Sequence, residues 1–189
     1  MKTVFLLCCL ALQAFAQKHE LGFTLGRLRG TDRGGGDTAL QANYGYRLWS
    51  NAALALSGEI QMLASPLREV TGPANSTRDY SSLYVTPGIR VKLNPDGRVQ
   101  PYGAIGGGYA LYEQSTTTLA GAPNSAPRHI GRGALMYGAG ADVPVLRWLA
   151  IRGEVRDFYT GNPAYNRPVV GSGQHNLVAG GGFVLRFGK

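Results

Sequence analysis

From residue 20 onward apolar and polar positions alternate in short stretches, and the links between the stretches are long and short in rotation. A period of two puts successive side chains on opposite faces of a strand. In about 20–28, Leu21, Phe23 and Leu25 share one face, with Glu20, Gly22, Thr24 and Gly26 on the other. The second stretch, 39–49, sets Leu40, Ala42, Tyr44, Tyr46 and Leu48 against Gln41, Asn43, Gly45 and Arg47. The third sets Leu54, Leu56, Ile60 and Met62 against Ser57, Glu59 and Gln61. The fourth is the most regular: Leu83, Val85, Pro87, Ile89, Val91 and Leu93 alternate with Ser82, Tyr84, Thr86, Gly88, Arg90 and Lys92. Pro87 lacks a ladder donor, so it requires an irregularity in the sheet.

Four more strands follow, over about 99–112, 133–143, 148–159 and 176–187. The fifth, rich in glycine, turns Ile105, Tyr109 and Leu111 one way, and the sixth turns Leu135, Tyr137, Ala139 and Ala141 one way. In the seventh Leu149, Ile151 and Val155 oppose Arg152, Glu154 and Arg156; in the last Leu177, Ala179, Phe183, Leu185 and Phe187 oppose Asn176, Gly180, Gly182 and Arg186. The long links are 29–37, 65–79, 113–132 and 160–174. The short ones are Ser50-Asn51, the Asn94-Pro95-Asp96-Gly97 turn and 144–147.

One apolar face and one charged face fit a barrel with lipid outside and a polar lumen. Only a closed sheet satisfies every backbone hydrogen bond inside a bilayer. The predicted fold is therefore all-β, an eight-stranded antiparallel up-and-down transmembrane barrel. Composition agrees: charged residues are 16% of the chain and 28 of 189 residues are glycine, against about 25% charged and about 7% glycine in soluble domains. A soluble ligand-carrying barrel would need these faces reversed. Short turns then belong to the periplasmic side and long links to the cell exterior.

Residues 1–16 read as a signal peptide: Lys2, an apolar run from Val4 to Leu12, and the small residues Ala14 and Ala16 before the cleavage point. The run is shorter than the roughly 20 residues of a spanning helix. The barrel domain is then 17–189. Both cysteines, Cys8 and Cys9, fall in the leader, so the exported chain is expected to hold neither disulfide nor thiolate metal site. The net charge of +8 points in an exported chain to outer-membrane lipid and lipopolysaccharide rather than to nucleic acid.

The charges predicted to enter the lumen are Glu20, Arg47, Glu59, Arg90, Lys92, Arg152, Glu154 and Arg156. Eight strands leave a lumen that side chains just fill, so these groups are expected to pair and plug it; a narrow porin-like channel is the alternative. Trp49, Trp148 and Phe187 fall beside the short turns and Tyr80, Tyr112 and Tyr159 beside the long links, as two aromatic belts would. The links carry Arg29, Arg33, Arg68, Arg78, Arg128, Arg132 and Arg167 against Asp32, Asp37, Glu69, Asp79 and Glu113, a slight basic excess suited to lipopolysaccharide phosphates. The rival class is a lipid deacylase or acyltransferase, which needs a serine activated by histidine. His19, His129 and His175 are dispersed and none begins a His-x-Ser pattern, so each reads as a solvated loop or interface residue, with no catalytic site, metal or cofactor.

Three segments resemble the small eight-stranded outer-membrane barrels of the outer membrane protein A and X type. They are the glycine-rich run from Pro101 to Tyr109, the Thr86-Pro87-Gly88-Ile89 strand, and the terminal alternation of Ala179, Gly181, Phe183, Leu185 and Phe187. The resemblance implies outer-membrane residence in a Gram-negative-type envelope, insertion by the barrel-assembly machinery reading the terminal strand, and no catalysis. The expected function is a structural or surface-interaction role carried by the loops of a monomer.

Overall fold

The computed structural model describes residues 18–30, 36–163 and 173–188. Residues 1–16, with Ala14 and Ala16, lie outside them, as do Asp32, Arg33 and Arg167. Among the described residues there are eight strands: β1 His19–Gly30, β2 Asp37–Ser50, β3 Leu54–Glu69, β4 Asp79–Leu93, β5 Gln100–Gln114, β6 His129–Leu146, β7 Leu149–Gly161 and β8 Gly173–Phe187. Each pairs antiparallel with the next, and β1 pairs with β8 to close the barrel. No open edge is left to be satisfied by lipid, which is the condition for crossing a bilayer as sheet.

The alternating faces sort as lipid outside demands. Leu83, Ile89, Ile151 and Phe183 stand on the outer wall, between 40% and 57% exposed, while Glu20, Glu59, Arg90 and Arg152 are buried inside. Strands outrun their periodicity at the long-link end. β3 continues to Glu69 past a register shift between Ser65 and Arg68, and β6 begins at His129. Beyond the hydrocarbon layer the ladder persists, but lipid no longer enforces the alternation that makes a strand legible. Even the links pair: Arg78 N–H donates to Thr117 O at 3.1 Å and Leu119 N–H to Ser76 O at 2.9 Å, joining the β3–β4 and β5–β6 connections into one crown.

Pro87 sits where the β4–β5 ladder is interrupted between Val85–Tyr109 and Gly88–Gly106, with the same register on both sides. The same seam holds the cross-strand pair Gly88–Gly106, and the β8–β1 seam holds Gly26–Gly180. These seams are diametrically opposed in an eight-strand ring. A Cβ at Gly182 would come within 1.8 Å of the Phe23 carbonyl oxygen, and one at Gly108 within 2.0 Å of that of Val85. Glycine lets adjacent backbones fold together there, giving the closed sheet two tight corners.

Candidate functional site

The lumen is filled in two tiers. At the periplasmic end five cations meet four carboxylates on strands that face across the barrel. Glu20 accepts from Arg90 Nη2 at 2.6 Å and Lys92 Nζ at 2.7 Å. Asp142 accepts from Lys92 Nζ at 2.8 Å and from Arg152 through Nε at 2.7 Å and Nη2 at 3.0 Å. Arg186 completes this group, 3.4 Å from Asp142 and 3.5 Å from Glu20. Glu59 takes Arg156 Nη1 at 2.5 Å and faces Arg90 Nη1 at 3.2 Å, and Glu154 takes Arg156 Nε at 2.9 Å. Tyr102 donates its hydroxyl to Glu154 at 2.7 Å, and the guanidinium groups of Arg90 and Arg152 lie over its ring, 5.4 and 4.8 Å from the centroid. Ions taken out of water must be paired and hydrogen-bonded to be tolerated. Glycines make the room: a Cβ at Gly45 would fall 2.6 Å from Arg90 Nη2, and one at Gly22 3.0 Å from Arg152 Nη1.

Toward the cell exterior the lumen turns apolar. Leu28, Leu63, Tyr80, Tyr84, Tyr112, Met136, Phe158 and Val178 form a buried cluster. Tyr84 and Phe158 rings lie 5.2 Å apart, and the Tyr84 and Tyr112 hydroxyls meet at 3.2 Å. Above them Arg68 donates to Asp37 at 3.0 Å and to Asn176 at 3.1 Å.

This arrangement corrects the sequence reading at several points. Tyr80 and Tyr112 are buried in the lumen and are not in the outer belt, because Leu83 on β4 and Leu111 on β5 take the outward parity and leave these tyrosines the inward one. Arg47 stays half-exposed at the periplasmic mouth, where the β2–β3 register shifts between Arg47 and Trp49, and among the described residues it has no ion-pair partner. Arg68, read as a loop residue, is a buried lumen cation. Asp142 and Arg186 were missed as network members, although their inward parity was legible. Trp49 and Trp148 are exposed at the short-turn end, Phe187 is half-buried at that same end, and Tyr159 lies half-buried on the outer wall at the other.

The three histidines stand on strands, His19 on β1, His129 on β6 and His175 on β8. His19 stacks on Phe187 with ring centroids 5.5 Å apart and lies 2.7 Å from the Tyr44 hydroxyl. His129 opens β6, exposed beside Glu113. On the outer wall His175 Nδ1 lies 2.6 Å from Asp157 Oδ2, the oxygen to which the Tyr137 hydroxyl donates at 2.7 Å. The Asn176 N–H donates to Asp157 Oδ1 at 3.1 Å, and the Tyr159 ring packs 4.9 Å from the imidazole. An ionisable group on a lipid-facing wall marks a candidate functional position. Among the described residues no group of His, Cys, Asp or Glu could hold a metal ion.

A family model for the outer membrane protein beta-barrel domain matches residues 3–187. Among solved structures, Neisserial surface protein A is 13% identical with a TM-score of 0.57, covering 89% of this chain and 96% of that one. The outer membrane enzyme PagL is 14% identical with a TM-score of 0.52, covering 90% and 99%. OprG from Pseudomonas aeruginosa is 12% identical with a TM-score of 0.51, covering 93% and 98%. At such identity the likeness shows the fold. No curated protein matches the chain in sequence.

Proposed function

The chain belongs to the outer membrane protein beta-barrel domain family, and from that premise we propose that it is a non-conducting barrel with a structural and surface-interaction role at the outer membrane. The single observation behind this reading is the filled lumen. A lower tier of ion pairs and an upper tier built around packed aromatic rings occupy the lumen among the described residues, which supports a plugged barrel. What faces the cell exterior is the crown. It presents the exposed pairs Arg78–Asp79 and Arg128–Glu113 on links stiffened by their mutual hydrogen bonds. Its partners are outer-membrane lipid and lipopolysaccharide, whose phosphates suit the arginine forks. Planar-bilayer recording on the refolded protein tests the reading: silent membranes are expected, and large stable conductance steps would overturn it.

A second reading has an observation of its own. Asp157 orients an imidazole on the lipid-facing wall, as the carboxylate of a hydrolytic triad orients its base, and PagL, an outer membrane enzyme, shares the fold. Incubating the purified barrel with lipid A and assaying released or transferred acyl chains separates the two readings; no turnover is expected.

A further inference from the structure

We propose that the outer wall across β4–β8 seats a phosphate-bearing, acylated lipid of the outer leaflet, with one acyl chain in a groove and the phosphate held by Arg27 and Arg29. The groove has a volume of about 580 Å³. One side is a cross-strand row of directly paired residues, Ile89, Ile105, Tyr137, Asp157 and Leu177, and its floor is low at Gly103 and Ala139.

The row climbs through the membrane. Ile89 lies near Leu93, the short-turn end of β4, whereas Leu177 lies near Gly173, the long-link end of β8. One strand further on, Leu177 pairs with Arg29 and Ala179 with Arg27. Both arginines are exposed on the outer wall near Gly30, and among the described residues neither has an ion-pair partner. The groove is therefore apolar where it is deep and has Tyr137 and Asp157 where it rises, with His175 bound to Asp157 beside it and the two arginines one strand beyond Leu177. That order is the order of a lipid read from chain to linkage to phosphate.

Arginine stems can lie along an apolar wall while their guanidinium groups reach the headgroup layer, where paired N–H donors match phosphate oxygens. Asp157 serves as a positioning residue. Three protein donors or rings already converge on its carboxylate, so it fixes Tyr137 and His175 at the level of the ester or amide linkages. A second groove of about 550 Å³ between Phe23, Leu40, Met62 and Phe183 has no charge in its own lining and reaches Leu25, two residues before Arg27 on β1; the two grooves therefore flank the same arginines, and only the first has Tyr137 and Asp157 in its wall.

The test is native mass spectrometry of the full folded chain with two probes of equal chain length, phosphatidic acid and diacylglycerol. Each variant is first checked for folding by its heat-dependent gel mobility. The wild type should prefer phosphatidic acid by about tenfold. Arg27→Gln with Arg29→Gln should abolish the preference and leave diacylglycerol retention unchanged. Gly103→Phe should lower retention of both lipids, since a Cβ there meets only the Gly138 carbonyl oxygen, at 4.0 Å, and the ring can occupy the groove without distorting the sheet. Ala42→Phe, in the uncharged groove, should leave the preference for phosphatidic acid intact. Preference surviving the double arginine variant, undiminished retention in Gly103→Phe, or loss of preference in Ala42→Phe would each overturn the proposal.

Discussion

Arg152 and Asp142 face each other as direct partners across β6 and β7 and join through two parallel hydrogen bonds, Nε to Oδ1 at 2.7 Å and Nη2 to Oδ2 at 3.0 Å. Around this fork the lower lumen organises itself, because Asp142 also receives Lys92 and Arg186. Removing the carboxylate takes a partner from three buried cations, of which Lys92 and Arg186 keep Glu20 while Arg152 loses its fork. Asp142→Asn should destabilise the barrel by about 3–5 kcal/mol. Replacing the pair together, Asp142→Leu with Arg152→Met, should cost less than the single change. Urea unfolding in lipid vesicles, followed through Trp49 and Trp148, measures both; a double variant weaker than Asp142→Asn would mean that the pair is not the unit.

The upper lumen should behave as a packed protein core. Phe158 is fully buried among Tyr84 and its neighbours, so Phe158→Ala should cost about 3–5 kcal/mol through the cavity it leaves. Leu135, on the outer wall, is 60% exposed, and lipid chains fill the space that Leu135→Ala vacates. Unfolding free energies should separate the two clearly, and equal losses would deny that the tyrosine layer is packed.

Charge on the lipid face should cost by depth. Ile89→Arg is expected to lose about 2–4 kcal/mol, while Thr116→Arg in the crown should stay within about 0.5 kcal/mol. Parallel unfolding curves of the two variants give the comparison, and similar values would show that the wall is misassigned.

The corners should tolerate no side chain. A Cβ at Gly182 meets the Phe23 carbonyl oxygen, whereas one at Gly103 meets little. Gly182→Ala should therefore cost about 1–3 kcal/mol or more through overpacking against backbone, and Gly103→Ala close to nothing. Refolding yield from urea, read on a semi-native gel, should fall only for Gly182→Ala.

How much of this was legible follows from where lipid acts. Leu83, Ile89, Ile151 and Phe183 declare their face because hydrocarbon on one side enforces a period of two. Arg68 does not. It stands beyond the bulge between Ser65 and Arg68, where the parity of β3 resets, and no pattern in Pro66-Leu67-Arg68 announces an inward turn. Tyr80 and Tyr112 are instructive in another way. Their aromatic character suggested a belt, yet the parity of Leu83 and Leu111 already placed them inside, and parity is the stronger constraint because a one-residue slip would expose every inward group of the strand. The crown was unreadable, since the hydrogen bonds joining Ser76 to Leu119 connect segments with no alternation to compare.

By itself the sequence determined the strand count, the closure of the sheet and the apolar face of each regular strand, because each of these follows from local alternation under one boundary condition. Tertiary structure alone decided who pairs with whom: Glu20 with Arg90 and Lys92, Glu59 with Arg156, Asp157 with Tyr137 and His175. Those partners are set by the stagger of eight strands around the ring. Stagger is a property of the closed sheet as a whole, and no single strand encodes it.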